Sequence, residues 1–388
     1  MAFKRFGFLV LLFAFAQVGA AQALITTDAE HAVLMDGETG QVLWSKDGDV
    51  AMPPASMSKL MTLELLFQRL KDGRVKLTDT FPVSERAWRT QGSKSFVELG
   101  ANIPVEDLIR GIIIQSGNDA CMVVAEALGG SMENFVTMMN ARAKELGLLH
   151  SHFVNPDGLP DPPGQLMSAM DLAKLARHLI YDYPQYYHYF GEREFTWHNI
   201  RQPNRNMVLE KFPGADGLKT GHTDAAGYGV TASAVQDGHR LILVLNGLRY
   251  PGKNDWWAER YRGEEAARIL GMAFREFRQY KLFGANDVVA TAKIWHGTKD
   301  SVAMVLGAPL AETMQVDSRK DLKVSVQYTS PLEAPIAKGQ RIGALTLSAP
   351  GFPARSYALY AAEAVDRAGI ISRGLQGLGL LLGSKDAK

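Results

Sequence analysis

Ser56 and Lys59 stand three residues apart in the run Pro53-Pro54-Ala55-Ser56-Met57-Ser58-Lys59-Leu60-Met61. On a helix, residues at that spacing share a face, so a hydroxyl and an amine come within mutual reach, as a serine nucleophile and its base require. The two prolines block helix before Ala55, and helix-forming residues then run to Leu70, which predicts Ser56 in the first helical turn. Met57, Leu60, Met61, Leu63, Leu65, Leu66, Phe67 and Leu70 make that helix apolar nearly all round, the mark of a buried central helix. Burial and the positive helix N-terminus both disfavour an ammonium, so Lys59 is expected to be neutral enough near pH 7 to take the Ser56 proton. A Ser-x-x-Lys by itself recurs by chance about once in a chain of this length, so its meaning depends on its surroundings.

Those surroundings supply two further short motifs, Ser116-Gly117-Asn118 and Lys219-Thr220-Gly221. The pattern predicts helices over Val105 to Gln115 and Asp119 to Leu128, with Ser116 to Asn118 as the break between them. Further helices are expected at Met132 to Leu146 and Ala169 to Tyr181, with turn-rich segments at Asn155 to Gly158 and Pro160 to Gly164 between them. Short strands are expected at Ala32 to Met35 and Gln41 to Trp44, and strands return at Leu218 to Thr223, Gly229 to Val235 and Arg240 to Leu245. A helix from Gly263 to Tyr280 closes this block. Strands at both ends with helices between predict an α+β fold, one antiparallel sheet carrying a helical cluster. From about Gly284 the chain changes to short alternating runs such as Val302 to Leu306, Leu322 to Tyr328 and Arg341 to Leu347, which predicts a small all-β C-terminal domain.

The 388 residues are 46% hydrophobic and 21% charged, an ordinary globular composition with room for two or three domains. A formal charge of +1 gives no field to hold a polyanion, so nucleic acid is not an expected partner. Lys4 and Arg5, the apolar run Phe6 to Val18 and Ala21-Gln22-Ala23 read as a secretory signal cleaved after Ala23, since that run falls short of the ~20 residues needed to span a bilayer. A single cysteine, Cys121, excludes an intrachain disulfide and a cysteine-cluster metal site. The nine histidines show no metal-ligand spacing, and neither metal nor cofactor is expected. Cys121 reads as a small buried hydrophobe on an apolar helix, and Trp256-Trp257 as a pair without an assigned role.

Taken together, a first motif opening a buried helix, a second between helices and a third on a strand resemble the arrangement of the penicilloyl serine transferases. Ser-Gly-Asn-Asp-Ala-Cys (Ser116 to Cys121) and Asp-Gly-Leu-Lys-Thr-Gly-His-Thr (Asp216 to Thr223) make the chain similar, over nearly all its length after the signal, to the low-molecular-mass penicillin-binding proteins that act as D-alanyl-D-alanine carboxypeptidases. The resemblance implies a β-lactamase/transpeptidase-like sheet with its helical cluster. It further implies that Ser56 attacks the penultimate D-alanine carbonyl of a peptidoglycan stem peptide while Lys59 takes its proton, and that β-lactam antibiotics acylate the same hydroxyl. Ser116 and Asn118 would join the proton relay and hold the substrate amide. Lys219 and Thr220 would orient the acyl donor and its carboxylate, and Gly221 would leave room for the substrate backbone. Backbone N–H groups of Ser56 and His222 would form the oxyanion hole. Arg205 and Arg262 match family positions that could pair with a carboxylate, Arg262 less securely because Tyr250 to Tyr261 is longer than the family pattern.

The expected domains are a signal at 1–23, a serine peptidase domain at 24–283, the all-β domain at 284–360 and a membrane-associating segment at 361–388. In that last segment Ile371, Leu375, Leu378 and Leu382 share a helical face, which suits a helix lying in a membrane interface. The expected location is thus exported, at the periplasmic face of the cytoplasmic membrane. Two other functions fit the same motifs, a class A-like β-lactamase and a non-catalytic cell-wall-binding or antibiotic-sensing protein. The first needs a deacylating glutamate after the second motif, and no Glu stands between Glu145 and Glu192. The second would leave every nucleophilic group unused.

Overall fold

The structure is a computed structural model that describes residues 25–370. The expected signal and residues 371–388 of the expected membrane segment lie outside the described residues. The first part of the chain is built on a five-stranded antiparallel sheet of β1 (His31–Asp36), β2 (Val42–Lys46), β3 (Ala215–Thr223), β4 (Gly227–Gln236) and β5 (His239–Leu248). Its spatial order is β2-β1-β5-β4-β3, which leaves β3, the strand carrying Lys219-Thr220-Gly221, at an edge.

Both faces of this sheet are covered, so its central strands read as near-continuous apolar runs rather than a strict alternation. The two-residue period still sorts them. Val33 and Met35 of β1 face the helical cluster, whereas Ala32 and Leu34 face the other way. The cluster contains α1 (Lys59–Lys71), α2 (Val105–Ile113), α3 (Asn118–Gly129), α4 (Met132–Glu145) and α5 (Ala169–Asp182). On the opposite face lies α6 (Asp255–Glu276), packed through Ala258, Ala266, Ile269, Leu270 and Ala273. As its composition predicts, α1 is central, with every residue from Lys59 to Phe67 buried.

Three boundaries differ from expectation. Helix α6 begins at Asp255, eight residues before the expected start at Gly263, because Asn254 caps it by accepting from the Trp257 N–H at 2.9 Å. It stops at Glu276, and Phe277–Phe283 forms strand β6 instead of the expected last helical turn. That strand pairs with β9 (Leu310–Gln315), so the all-β region starts before residue 284. At its far end, β13 (Phe352–Ala361) is followed by Val365, which bridges to Ile336 and is buried in the same core, and by Ala368, whose N–H bonds His296. The chain therefore stays with the all-β domain past residue 360.

The rest of that domain is a six-stranded sheet. It is formed by β7 (Val288–Trp295), β8 (Ser301–Leu306), β10 (Lys323–Gln327), β11 (Leu332–Glu333), β12 (Arg341–Ala349) and β13. A polar joint ties it to the first domain. The buried Asp36 carboxylate accepts from His239 Nε2 at 2.8 Å and from Thr313 Oγ1 at 2.5 Å. The Gln41 amide completes the joint by donating to the Thr313 carbonyl at 2.7 Å.

Candidate active site

The turn before α1 is a 3-10 segment, Ala55–Ser58, and Ala55 enters it with φ +49°, in the left-handed region that alanine rarely adopts. This turn leaves Ser56 half-buried at the head of the helix while Lys59 is wholly buried one turn on. The expected shared face is realised, with Lys59 Nζ 2.8 Å from Ser56 Oγ. The same amine donates to Asn118 Oδ1 at 2.7 Å and to the backbone carbonyl of Asp157. Burial, the largest influence, holds the Lys59 amine below its ordinary pKa.

Asn118 is the first residue of α3 rather than part of the preceding loop, and its orientation is fixed because Nδ2 donates to the Gln91 carbonyl at 2.7 Å. That leaves Oδ1 for Lys59. Ser116, two residues earlier, adopts φ +57°, a second left-handed non-glycine residue at the site. Its hydroxyl accepts from Lys219 Nζ at 3.0 Å, and Lys219 also donates to the Thr220 carbonyl at 3.0 Å. The Lys219 amine sits well below its ordinary pKa, first from burial and then from the like charges of Lys59, Arg205 and Arg262. Two hydrogen-bonded groups, Ser56–Lys59–Asn118 and Ser116–Lys219, therefore meet where α1, α3 and β3 converge.

Gly221 has a part in the packing that was not foreseen. A Cβ there would lie 2.9 Å from the Pro54 carbonyl oxygen and 3.1 Å from the Met57 nitrogen, so the missing side chain lets β3 close directly on the Ser56 turn. The expectation for His222 concerned its backbone N–H and not its ring. The ring is exposed, makes no hydrogen bond among the described residues, and lies flat on Tyr228 with ring centroids 3.8 Å apart. Thr220, the residue before Gly221, is buried.

Both arginines reach the site. Arg205, half-buried, donates to Ser93 Oγ at 2.6 Å. Arg262 is buried within α6, donates to the Arg205 carbonyl at 3.2 Å and the Gly221 carbonyl at 3.4 Å, and has its pKa pushed down to about 10 by burial. A solvated surface role for Arg262 is excluded. Lys59, Lys219, Arg205 and Arg262 thus form a cluster of basic side chains, none paired with a carboxylate among the described residues. Cys121 is buried on α3 with its thiol pushed up to about 12 by that burial, which fits the inert reading.

Sequence reasoning missed the supports. The segment Asn155-Pro156-Asp157-Gly158, read only as a turn, presents two carbonyls to α1: Pro156 to Thr62 Oγ1 at 2.6 Å, and Asp157 to Lys59. A Cβ at Gly158, φ +85°, would collide with the Ala55 carbonyl, so glycine is what lets this segment close over the Ser56 turn. Buried Asp119 accepts from the Ser95 and Val97 N–H groups at 2.8 and 3.2 Å, pinning the rim segment that carries Gln91 and Ser93. Asp119 lies inside the Ser116 to Cys121 motif, and an acidic residue in the first turn of a predicted helix was the available signal.

Comparison with known proteins agrees with this geometry. Residues 17–248 match the family described as D-alanyl-D-alanine carboxypeptidase, and residues 277–367 match the C-terminal domain of penicillin-binding protein 5. The chain is 38% identical over 356 residues to D-alanyl-D-alanine carboxypeptidase DacC of Escherichia coli (strain K12), covering 90% of this chain and 87% of that one. Among solved structures, penicillin-binding protein 5 from Haemophilus influenzae superimposes with a TM-score of 0.77 at 34% identity, covering 87% of this chain and 98% of that one. The carboxypeptidase DacD from Francisella tularensis gives the same TM-score at 31% identity, over 88% and 95% of the two chains. The family match begins near the chain's start and ends at β5, the second match takes up at β6, and the chain belongs to the D-alanyl-D-alanine carboxypeptidase family of penicillin-binding serine hydrolases.

Proposed function

We propose that Ser56 is the acylated nucleophile and Lys59 its base in removing the terminal D-alanine from peptidoglycan stem pentapeptides. The observation that carries this is the partner set of the Lys59 amine. Asn118 Oδ1 and the Asp157 carbonyl can only accept, so the two hydrogens of a neutral amine go to them and its lone pair is left facing the Ser56 hydroxyl. Ser56 Oγ then adds to the penultimate D-alanine carbonyl as its proton passes to Lys59, and the backbone N–H groups of Ser56 and His222 receive the oxyanion. Ser116, between Lys219 and the site, returns a proton to the departing amine, and water later releases the acyl group.

The unpaired basic groups support the choice of leaving group. A terminal D-alanine brings a carboxylate, for which Thr220 offers a hydroxyl and Lys219 and Arg205, with Arg262 behind them, offer basic groups that pair with no carboxylate among the described residues. β-Lactam antibiotics carry a carboxylate beside a reactive carbonyl and acylate Ser56 by the same route. A class A-like β-lactamase fits less well, since the segment over Lys59 turns backbone carbonyls toward α1 while Asp157 Oδ1 accepts from the Leu159 N–H at 3.0 Å.

The test is incubation of the purified protein with a pentapeptide ending in D-Ala-D-Ala and assay of free D-alanine, with fluorescent penicillin labelling in parallel. Ser56→Ala should abolish both, lowering turnover by about four orders of magnitude or more. Labelling that survives in the variant places the nucleophile elsewhere, and acylation by peptide without D-alanine turnover restores the sensing function.

The domain plan carries over as a proposal: a signal at 1–23, the peptidase unit, the all-β unit and a membrane-associating tail, in an exported enzyme at the periplasmic face of the cytoplasmic membrane. No helix among the described residues is long and apolar enough to cross a bilayer. Removing residues 371–388 should therefore free the protein from membranes with soluble-peptide turnover intact. Continued sedimentation of the shortened protein with membranes rules the tail out as the anchor.

A further inference from the structure

Arg205 reaches the site on a long, half-buried side chain, and the one hydrogen-bond partner of its guanidinium among the described residues is the Ser93 hydroxyl, which accepts from Nη1 at 2.6 Å. Nε and Nη2 are left without a protein partner there. Those two nitrogens form one edge of the planar fork, an edge that can meet a carboxylate side-on through two parallel hydrogen bonds. Ser93 is itself firmly held. Its carbonyl accepts from the Asn118 N–H at 2.8 Å. On one side the Gln91 carbonyl takes Asn118 Nδ2 at 2.7 Å, and on the other the Ser95 N–H donates to the buried Asp119 carboxylate at 2.8 Å. Gly92, at φ +83°, lets the strap lie so close, because a Cβ there would stand 2.7 Å from Asn118 Nδ2. Residues 91–95 are therefore laced to the head of α3 on both sides of Ser93.

We propose that Ser93 is a positioning residue that sets specificity: it presents the free edge of Arg205 to the terminal carboxylate, so that a peptide ending in a free acid is chosen over the same peptide ending in a neutral group. The proposal deepens, and rests on, the carboxypeptidase reading above. A guanidinium on a flexible stem gives up rotamer freedom when it binds, and one fixed beforehand by a rigid acceptor has less to give up. The neighbouring basic groups are already engaged, Lys219 with Ser116 and the Thr220 carbonyl, and Arg262 with the Arg205 and Gly221 carbonyls. Ser93 also sets register. Arg205 to Ser93, Ser93 to Asn118 and Asn118 to Lys59 are successive hydrogen bonds of 2.6, 2.8 and 2.7 Å, so the carboxylate-binding fork and the proton-accepting amine hang on one strap. A carboxylate seated on the fork is thereby held at a fixed offset from the carbonyl that Ser56 attacks.

The experiment compares a pentapeptide ending in D-Ala-D-Ala with the same peptide ending in D-Ala-D-alaninamide. In Ser93→Ala, kcat/KM for the acid should fall about tenfold, the worth of one hydrogen bond to a charged group, while kcat/KM for the amide stays at the wild-type value. Ser93→Thr, which keeps the hydroxyl, should restore the preference for the acid. A role confined to holding the strap together would lower both substrates alike. A second pair needs no peptide cleavage: acylation by benzylpenicillin and by its methyl ester, read by competition with a fluorescent penicillin, should show the same selective loss in Ser93→Ala. If the wild type cleaves neither peptide, the carboxypeptidase reading falls and the penicillin pair alone decides the part played by Ser93. Equal losses for acid and neutral partners, or an unchanged preference in Ser93→Ala, overturn the proposal.

Discussion

The active site and the all-β domain treat buried charge in opposite ways. Around Ser56, Lys59, Lys219 and Arg262 are buried without a carboxylate partner, and desolvation shifts all three toward the neutral form. In the all-β domain the buried Glu312 meets Arg355 Nη1 at 3.2 Å and accepts from the Tyr357 hydroxyl. The contrast recurs within one helix. Glu64, five residues beyond Lys59 on α1, is held below the usual carboxylate range despite its burial, because His178 and Arg142 surround it, the latter at 2.7 Å. The fold that pairs Glu312 and Glu64 leaves basic side chains without a carboxylate around Ser56, where the proposed mechanism puts a proton-accepting amine and an anionic substrate.

Lys59→Arg attacks this contrast most directly. Guanidinium stays protonated, so the variant puts a fixed cation where a neutral amine acts as base, and the acylation rate should drop by about 10²–10⁴-fold. Stopped-flow acylation by a fluorescent penicillin reads this, and a near-normal rate removes Lys59 from the role. The wild-type profile sharpens it. A lysine whose folded pKa is depressed is neutral above that value and charged below it, so acylation should fade as pH drops through the depressed pKa. The same depression makes burial of Lys59 destabilising once the pH falls below the ordinary lysine pKa, where only the unfolded chain takes up the proton, and the penalty becomes constant below the depressed value. A flat acylation profile from neutral to mildly acidic pH counts against a neutral amine.

Gly221→Ala tests the geometry rather than the charges. Its Cβ would press on the Pro54 carbonyl and the Met57 nitrogen, both backbone atoms that cannot swing aside. β3 should back away from the Ser56 turn, and a displacement near 1 Å is expected to lower kcat/KM by about 10²-fold. If the glycine instead made room for substrate, alanine would raise KM alone, and the split between KM and kcat decides between the two.

The same contrast explains what the sequence could disclose. Motifs set by local chemistry were legible: the i, i+3 pair of Ser56 and Lys59, the break before α3, and Lys219-Thr220-Gly221 on a strand. The family resemblance carried over the arginines and the sheet with its helical cluster. The carbonyl of Asp157 and the missing Cβ of Gly221 act through tertiary closeness, and a backbone oxygen or an absent atom has no residue-type signature. The early start of α6 was partly readable, since Asn254-Asp255 is a cap followed by an acidic first turn, but the Trp256-Trp257 pair hid the apolar period. The joint of Asp36, His239 and Thr313 unites residues more than 200 positions apart, beyond the reach of any local pattern.

The smallest effect is expected where charge is already matched. Glu312→Gln in β9 removes the anion opposite Arg355 but leaves an amide able to accept from the Tyr357 hydroxyl, and Arg355, 30% exposed, can turn its guanidinium to water. The loss should therefore be about 1–3 kcal/mol, the worth of a buried hydrogen bond to a charged group, and not the larger penalty of stranding a buried ion. Denaturant unfolding followed through Trp295, the tryptophan of the all-β domain, reads it, while turnover of a soluble pentapeptide should stay at the wild-type rate because every group around Ser56 is untouched. A fall in turnover matching the fall in stability means that Glu312 acts on the site through the Asp36–Thr313 joint, and the two domains then no longer stand as independent cases of buried charge.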